Sequence, residues 1–350
     1  MTNEDKPRRP TISDVAAAAG VSVKTVSRVI NNAPSVRPEV TERVLAAIGE
    51  LGFRRNHIAS SLRSGQATAT IGLIIEDLAN PFYSALAAAV GRYARERGTH
   101  LITASSEESP ELERRLFLEL CQRRVDGLII VPAGGDHSYM RPELEMNTQV
   151  VFLDRPPAGI LADSVLIDNA GGTRAGVEAL LGRGHRRIGV ISDSTTIYTA
   201  RERLAGVRAA LAGAGVPYDD ALVRTDVAHP DQAAAAATAM MRGGDPPTAF
   251  FCGNNRITVG VLAALGRLDG DHDARGDTRG DTDVDLLGFD DFELADLMPR
   301  PLTVIAYDVG ELGRTAAARL FDRIGGDRSW PAETVLPTRL VRRGPRRPAS

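Results

Sequence analysis

From residue 70 onward, short β-branched runs alternate with longer Ala- and Leu-rich stretches, and this alternation constrains the fold more than any other feature of the chain. The strand candidates are 71–75, 101–104, 127–131, 150–153, 164–167, 187–192, 248–252, 284–288 and 302–306. Helical stretches separate most of them, over 81–97, 110–123, 172–181, 200–212, 231–242 and 256–268. Near-continuous apolar strands linked by helices predict parallel sheets covered on both faces. Nine such strands suit two doubly wound lobes better than one sheet.

In doubly wound sheets, ligands bind beyond the carboxyl ends of the strands. Asp77 follows 71–75, Asp154-Arg155 follows 150–153, Asn254-Asn255 follows 248–252 and Asp290-Asp291 follows 284–288. One polar residue at a strand end marks only the start of a loop. Four strand ends rich in carboxylates and amides, with an arginine beside them, make the donor and acceptor set of a polyhydroxylated ligand.

The first 65 residues follow another pattern. Thr11-Ile12-Ser13-Asp14 has the spacing of a capping box, and Gly20 is a helix stop. Ser22 can cap a second helix over 23–31, whose Val26, Val29 and Ile30 share one face. Pro38 can open a third, with Val40, Val44, Ile48 and Leu51 inward and Gly52 at its end. Two short helices joined through Gly-Val-Ser predict a helix-turn-helix, whose second helix enters the major groove. Val23, Lys24, Ser27 and Arg28 lie away from the apolar face; Arg28 suits bidentate reading of guanine, and Lys24 a base edge or a phosphate. Thr11, Ser22, Thr25 and Asn31 are short polar groups suited to phosphate contacts.

Charge agrees with this division. The formal net charge of −3 conceals +4 over residues 1–65, −12 over 66–337 and +5 over the last thirteen. A basic module that meets polyanions is attached to an acidic body.

The run Thr11-Ile-Ser-Asp-Val-Ala-Ala-Ala-Ala-Gly-Val-Ser-Val-Lys-Thr-Val-Ser-Arg-Val-Ile-Asn31 closely resembles the DNA-binding headpiece of the LacI/GalR family of bacterial transcriptional regulators. The resemblance extends through Arg43–Ile48 and Leu51–Phe53 to Asn56–Arg63, and covers nearly the whole chain. It implies that Val23, Lys24 and Arg28 are the base-reading positions. It also implies a hinge over Asn56–Ser64, helical when two copies meet on DNA, with Leu62 as a minor-groove wedge. Arg55 stands where the family commonly has proline.

Farther on, Ile71–Ile75, Asn80-Pro-Phe82, Phe152–Arg155, Ala200–Gly206 and Leu287–Asp291 resemble the periplasmic sugar-binding core that the family carries as its effector domain. Carried over by position, Asp77, Phe82, Asp154 and Arg155 come from the first lobe, and Arg201, Asn254 and Asp290 from the second. Asn255 replaces the family's usual Asp, and Tyr307 a polar residue, which points to an uncharged or anionic sugar derivative. The resemblance thus implies a small all-α helix-turn-helix headpiece joined to an α/β effector domain of two doubly wound parallel-sheet lobes. The expected protein is a repressor of carbohydrate-uptake or catabolic genes. It acts as a homodimer at least, on a pseudo-palindromic double-stranded DNA operator, under control of a sugar or sugar-derived effector and without a cofactor.

The expected boundaries are a disordered arm over 1–10, the headpiece over 11–55, the hinge over 56–65, the effector domain over 66–340 and a basic disordered tail over 341–350. The aspartate- and glycine-rich stretch 269–285 begins like a calcium loop, but has Ala274 and Gly280 where such a loop needs Gly and Glu. A solvated, disordered surface loop is expected instead.

Other function classes fit poorly. The lysines, Lys6 and Lys24, do not follow glycine, which excludes the Gly-Lys phosphate loop. No GxSxG motif occurs, and no two of the six histidines have helical metal-ligand spacing. Cys121 and Cys252 give no disulfide framework. MTNEDKPRRP lacks a signal-peptide core, and no apolar run approaches the ~18–20 residues of a membrane span, so the expected location is the cytoplasm, at the nucleoid. An enzyme and an exported solute receptor are the disfavoured alternatives.

Overall fold

Among the described residues, three helices build the first of two units, into which the chain divides at residue 68. The computed structural model describes residues 10–30, 33, 35–53, 68–274, 284–298 and 300–344, without the side chains of 271–274. Helix α1 (Ile12–Ala19) starts at a reciprocal cap: Thr11 Oγ1 accepts from the Asp14 N–H at 3.3 Å, and the Asp14 carboxylate accepts from the Thr11 N–H at 2.7 Å. Gly20 ends it at φ +65°, a left-handed conformation that costs glycine no Cβ clash. Helix α2 (Val23–Ile30) is capped by Ser22, whose Oγ accepts from the Thr25 N–H at 3.1 Å. Helix α3 (Pro38–Leu51) begins at Pro38 and ends at Gly52. Val15, Ala16, Ala19, Val26, Val29, Val44 and Ala47 bury one small core. Leu51, expected inward, is exposed at the end of α3, and Ala47 packs in the core instead.

The second unit opens with β1 (Thr70–Ile75), α4 (Pro81–Glu96), β2 (His100–Ser105), α5 (Pro110–Gln122), β3 (Gly127–Ile130), α6 (Arg141–Glu145), β4 (Gln149–Leu153) and β5 (Asp163–Ile167). It continues with α7 (Asn169–Gly182), β6 (Ile188–Ile191), α8 (Tyr198–Gly213), β7 (Val223–Arg224), α9 (Pro230–Met241), β8 (Ala249–Cys252) and α10 (Asn255–Ala274). Strands β9 (Asp285–Phe289) and β10 (Leu302–Ala306), helix α11 (Val309–Ile324), β11 (Glu333–Leu336) and β12 (Arg339–Arg343) complete it.

Two six-stranded sheets result, ordered β2-β1-β3-β4-β5-β11 and β7-β6-β8-β9-β10-β12. The two lobes share one topology, parallel except where β12 runs antiparallel to β10. Each order reverses at its first strand, so β1/β3 and β6/β8 are the switch points where a ligand crevice opens. The chain passes between lobes after β5, after β10 and after β11. Helix α11 returns to the first lobe, packing on α4 and on β3, β4 and β5.

The structure corrects two boundaries. The expected tail boundary at 341 falls within β12, an edge strand, where Arg343 pairs with Asp291 and, at 2.8 Å, with Asp296, and residues 345–350 lie outside the described residues. An edge strand needs few apolar residues, so β12 carries little sequence signal. The loop expected over 269–285 is also shorter, because α10 continues through Ala274 and β9 begins at Asp285. Buried Leu265 and Leu268 anchor that last part of α10, and Asp269 pairs with Arg300. Asp285 is held by Arg183 and His185, each at 2.9 Å. Residues 275–283 lie outside the described residues.

Helices α7 and α8 cross so closely that a Cβ on Gly206 would lie 2.5 Å from the Ala170 carbonyl oxygen. Gly206→Ala is therefore expected to cost about 1–3 kcal/mol of unfolding free energy by overpacking. Urea denaturation checks this, and an unchanged midpoint would show that the two helices can part without cost.

Candidate functional site

In the headpiece, Val26 and Val29 turn into the core, and the opposite face of α2 presents Val23, Lys24 and Arg28 to solvent. Ser27 and Thr25 are half-buried beside them. Thr11 and Ser22 stand at the amino ends of α1 and α2, where free backbone N–H groups and the helix dipole favour phosphate. Asn31, Asn56 and Leu62 lie outside the described residues.

In the second unit, the carboxyl ends of both sheets face one cleft. Asp154 and Asp290 end β4 and β9, the fourth strands of the two sheet orders. Both adopt left-handed backbone, at φ +66° and +69°. Each N–H donates to the neighbouring strand, Asp154 to Val165 O at 2.8 Å and Asp290 to Ile305 O at 3.2 Å. The same turn is thus built once in each lobe, and it aims a buried carboxylate inward. Burial pushes the Asp154 carboxyl up, with Asp290 repelling it and Arg155 and Arg203 opposing the rise. Asp154 Oδ1 is buried and takes no hydrogen bond from the described residues. It therefore asks for a donor that a ligand hydroxyl can supply.

Arginines hold the walls. Arg155 binds Glu108 through two bonds of 2.8 and 2.7 Å and donates to Pro132 O at 2.8 Å. Arg203, on α8, donates to Asn169 Oδ1 at 2.8 Å and Gly253 O at 2.6 Å, and its Nη2 is 3.8 Å from Asp290. Its guanidinium lies 3.7 Å from the centre of the Phe289 ring, which fixes its plane. Tyr307 donates to Asp290 Oδ1 at 2.7 Å from the crossing after β10. Asn254 caps α10 through the Ile257 N–H at 2.8 Å and donates to Asp193 at 2.7 Å. Phe82, on α4, packs edge-on against Tyr83 and Tyr307.

Of the residues proposed from sequence, Phe82, Asp154, Arg155, Asn254 and Asp290 thus meet around one cavity, of about 100 Å³. Asp77 does not line it; it pairs with Arg256 at the rim, which holds its carboxyl below the usual range. Arg201 does not line it either and faces a neighbouring outer cavity. Glu76, Tyr83, Glu108, Asp193, Arg203, Arg256 and Tyr307 line the inner cavity and were missed. Glu76 directly follows the switch-point strand β1, and Asp193 is the second residue after the switch-point strand β6, so both could have been found by that rule.

Glu76 accepts from the Tyr83 hydroxyl at 2.8 Å. Burial and the nearby Glu108 carboxylate push its own carboxyl up from 4.5 to about 7. The unfolded chain releases this proton near pH 4.5 and the folded one near 7. Unfolding free energy should therefore fall as pH rises across that window, by up to about 3 kcal/mol. Glu76→Gln is expected to flatten this part of the profile in urea denaturation without effector; an unaltered slope would contradict the assignment. Among the described residues, no His, Cys, Asp and Glu cluster is arranged to hold a metal ion, and no helix is long and apolar enough to cross a membrane.

Residues 68–343 match the family described as periplasmic binding proteins and sugar binding domain of LacI family, and residues 11–56 match bacterial regulatory proteins, lacI family. The chain is 33% identical over 338 residues to the maltose regulon regulatory protein MalI of Escherichia coli strain K12, covering 95% of this chain and 98% of that protein. It aligns with the lac repressor dimer bound to operator and the anti-inducer ONPF at TM-score 0.80 and 29% identity, covering 95% of this chain and 98% of that one. With a complex of the transcriptional regulator CelR and cellobiose the TM-score is 0.67 at 32% identity, with the same coverage of 95% and 98%.

Proposed function

The chain belongs to the lacI family of bacterial regulatory proteins, and we propose that its two units divide the work of one sugar-controlled operator switch. It is a DNA-binding transcriptional regulator with relatives that are regulators and not enzymes. Such a protein works where the DNA is, in the bacterial cytoplasm. In the proposed reading it is a dimeric repressor, and Val23, Lys24 and Arg28 read base edges with Ser27 beside them on the DNA-facing side, while Thr11, Ser22, Thr25 and Asn31 set register on phosphates. Asn56 and Leu62 keep the hinge roles that the family resemblance implies.

The effector is proposed to be a neutral sugar held between the lobes by Asp154, Arg155, Arg203, Asn254 and Asp290, with Phe82 against its ring. The observation that carries this is the buried Asp154 oxygen without a donor among the described residues, in a cleft of polar groups where the Asp290 carboxylate lies close enough to repel it. The expectation of an anionic derivative is weakened by the cleft's charge. Glu76, Glu108, Asp154, Asp193 and Asp290 face it against Arg155, Arg203 and Arg256, and two of those arginines are already paired with Glu108 and Asp77. A neutral polyol supplies donors to these carboxylates without adding repulsion. Ligation would favour one arrangement of the lobes and shift operator affinity through it, a coupling of typically ~1–3 kcal/mol.

The test is a thermal-shift screen of neutral sugars and sugar phosphates, followed by gel shifts of operator DNA with each compound that binds. A neutral sugar that both raises the melting temperature and alters the shift supports the reading. Response to sugar phosphates alone would overturn it.

A further inference from the structure

The cleft has a second compartment that a single sugar ring in the first leaves unused. The inner cavity, of about 100 Å³, adjoins an outer one of about 750 Å³, and Arg155 and Asp193 line both. Ligand pockets run from about 300 to 1,000 Å³, so the inner compartment alone is small and the outer one falls in that range. The two also differ in chemistry. Both share Glu108, Arg155, Asp193 and Ile197, but the inner walls add Glu76, Asp154 and Asp290, whereas the outer ones add Pro132, Pro156, Pro157 and Tyr198, with Arg201 and one further carboxylate, Asp226.

This outer wall is preformed. The ring of His137 is buried, and its Nδ1 accepts from the Ala158 N–H at 3.0 Å while the backbone N–H of His137 donates to Ala158 O at 2.9 Å. The turns after β3 and β4 are thereby tied together, and Arg155 closes the boundary through Glu108 and Pro132. The Arg201 guanidinium stands 5.6 Å from the Tyr198 ring centre, so an aromatic ring and a set of N–H donors line this wall side by side. Such a surface suits the apolar face and peripheral hydroxyls of a sugar ring.

We infer that the effector is a glycoside of at least two units, the first ring in the inner cavity and the second against Tyr198 and Arg201. This rests on the neutral-sugar reading above and specifies its ligand class.

Calorimetric titration of the full chain with maltose, cellobiose, lactose and trehalose, against glucose and galactose, tests it. One disaccharide is expected to bind at least tenfold more tightly than its component monosaccharides. Tyr198→Ala should remove that increment and leave monosaccharide affinity unchanged, and Tyr198→Phe should retain it. Equal affinity for the single and double units would overturn the inference, as would a gain that survives Tyr198→Ala. Failure of every neutral sugar to bind would instead overturn the reading on which it rests, and the inference with it.

Discussion

Arg28→Ala is expected to erase operator discrimination while leaving effector binding intact. Arg28 is exposed on α2, opposite Val26 and Val29, so its loss spares the headpiece core. A bidentate arginine contact to guanine contributes about 1–3 kcal/mol of discrimination. A dimer on two half-sites makes it twice, so the loss is about 2–6 kcal/mol, or roughly 30-fold to more than 10⁴-fold. Competition gel shifts with operator and unrelated DNA, at one fixed salt concentration, read this directly. Lys24→Ala, which removes a more flexible point charge, should weaken both DNAs more evenly. Retained preference for operator in Arg28→Ala would place base reading elsewhere.

The second large effect is expected at Asp290. Its left-handed backbone tolerates asparagine better than alanine, so Asp290→Asn is the cleaner probe. The substitution keeps the oxygen that accepts from Tyr307 but removes the charge that faces Arg203. Hydrogen bonds to a charged group contribute about 1.5–3 kcal/mol, so effector affinity should drop roughly 10- to 100-fold. Operator affinity without effector should be preserved. Titration and gel shift on one preparation separate the two properties, and an undiminished effector response would remove Asp290 from the binding site.

Much of the cleft was legible at the strand ends. Asp154, Asn254 and Asp290 stand out because each ends a buried apolar run at the edge where doubly wound sheets bind ligands. Arg203 was not legible beside Arg201. Both are arginines in the run Ala200–Gly206, and only packing against Asn169, Gly253 and Phe289 turns one of them into the inner cavity. Glu76 and Asp77 pose the same difficulty at the end of β1, where adjacent side chains point to opposite sides. Tyr307 registered only as a departure from the family pattern, until the crossing after β10 placed its hydroxyl on Asp290.

The sequence by itself determined the headpiece helices, the alternation of strands and helices and the division into a basic head and an acidic body. Caps, glycine stops, hydrophobic period and charge all act within a few residues, so they are written locally. Tertiary structure alone decided which polar residues face the cleft. Two residues apart on a helix is about 200° of rotation, enough to reverse a side chain's direction. It also decided that Arg343 belongs to an edge strand and that the cleft has two compartments. Those outcomes depend on register and packing between segments far apart in the chain, where local composition carries no information.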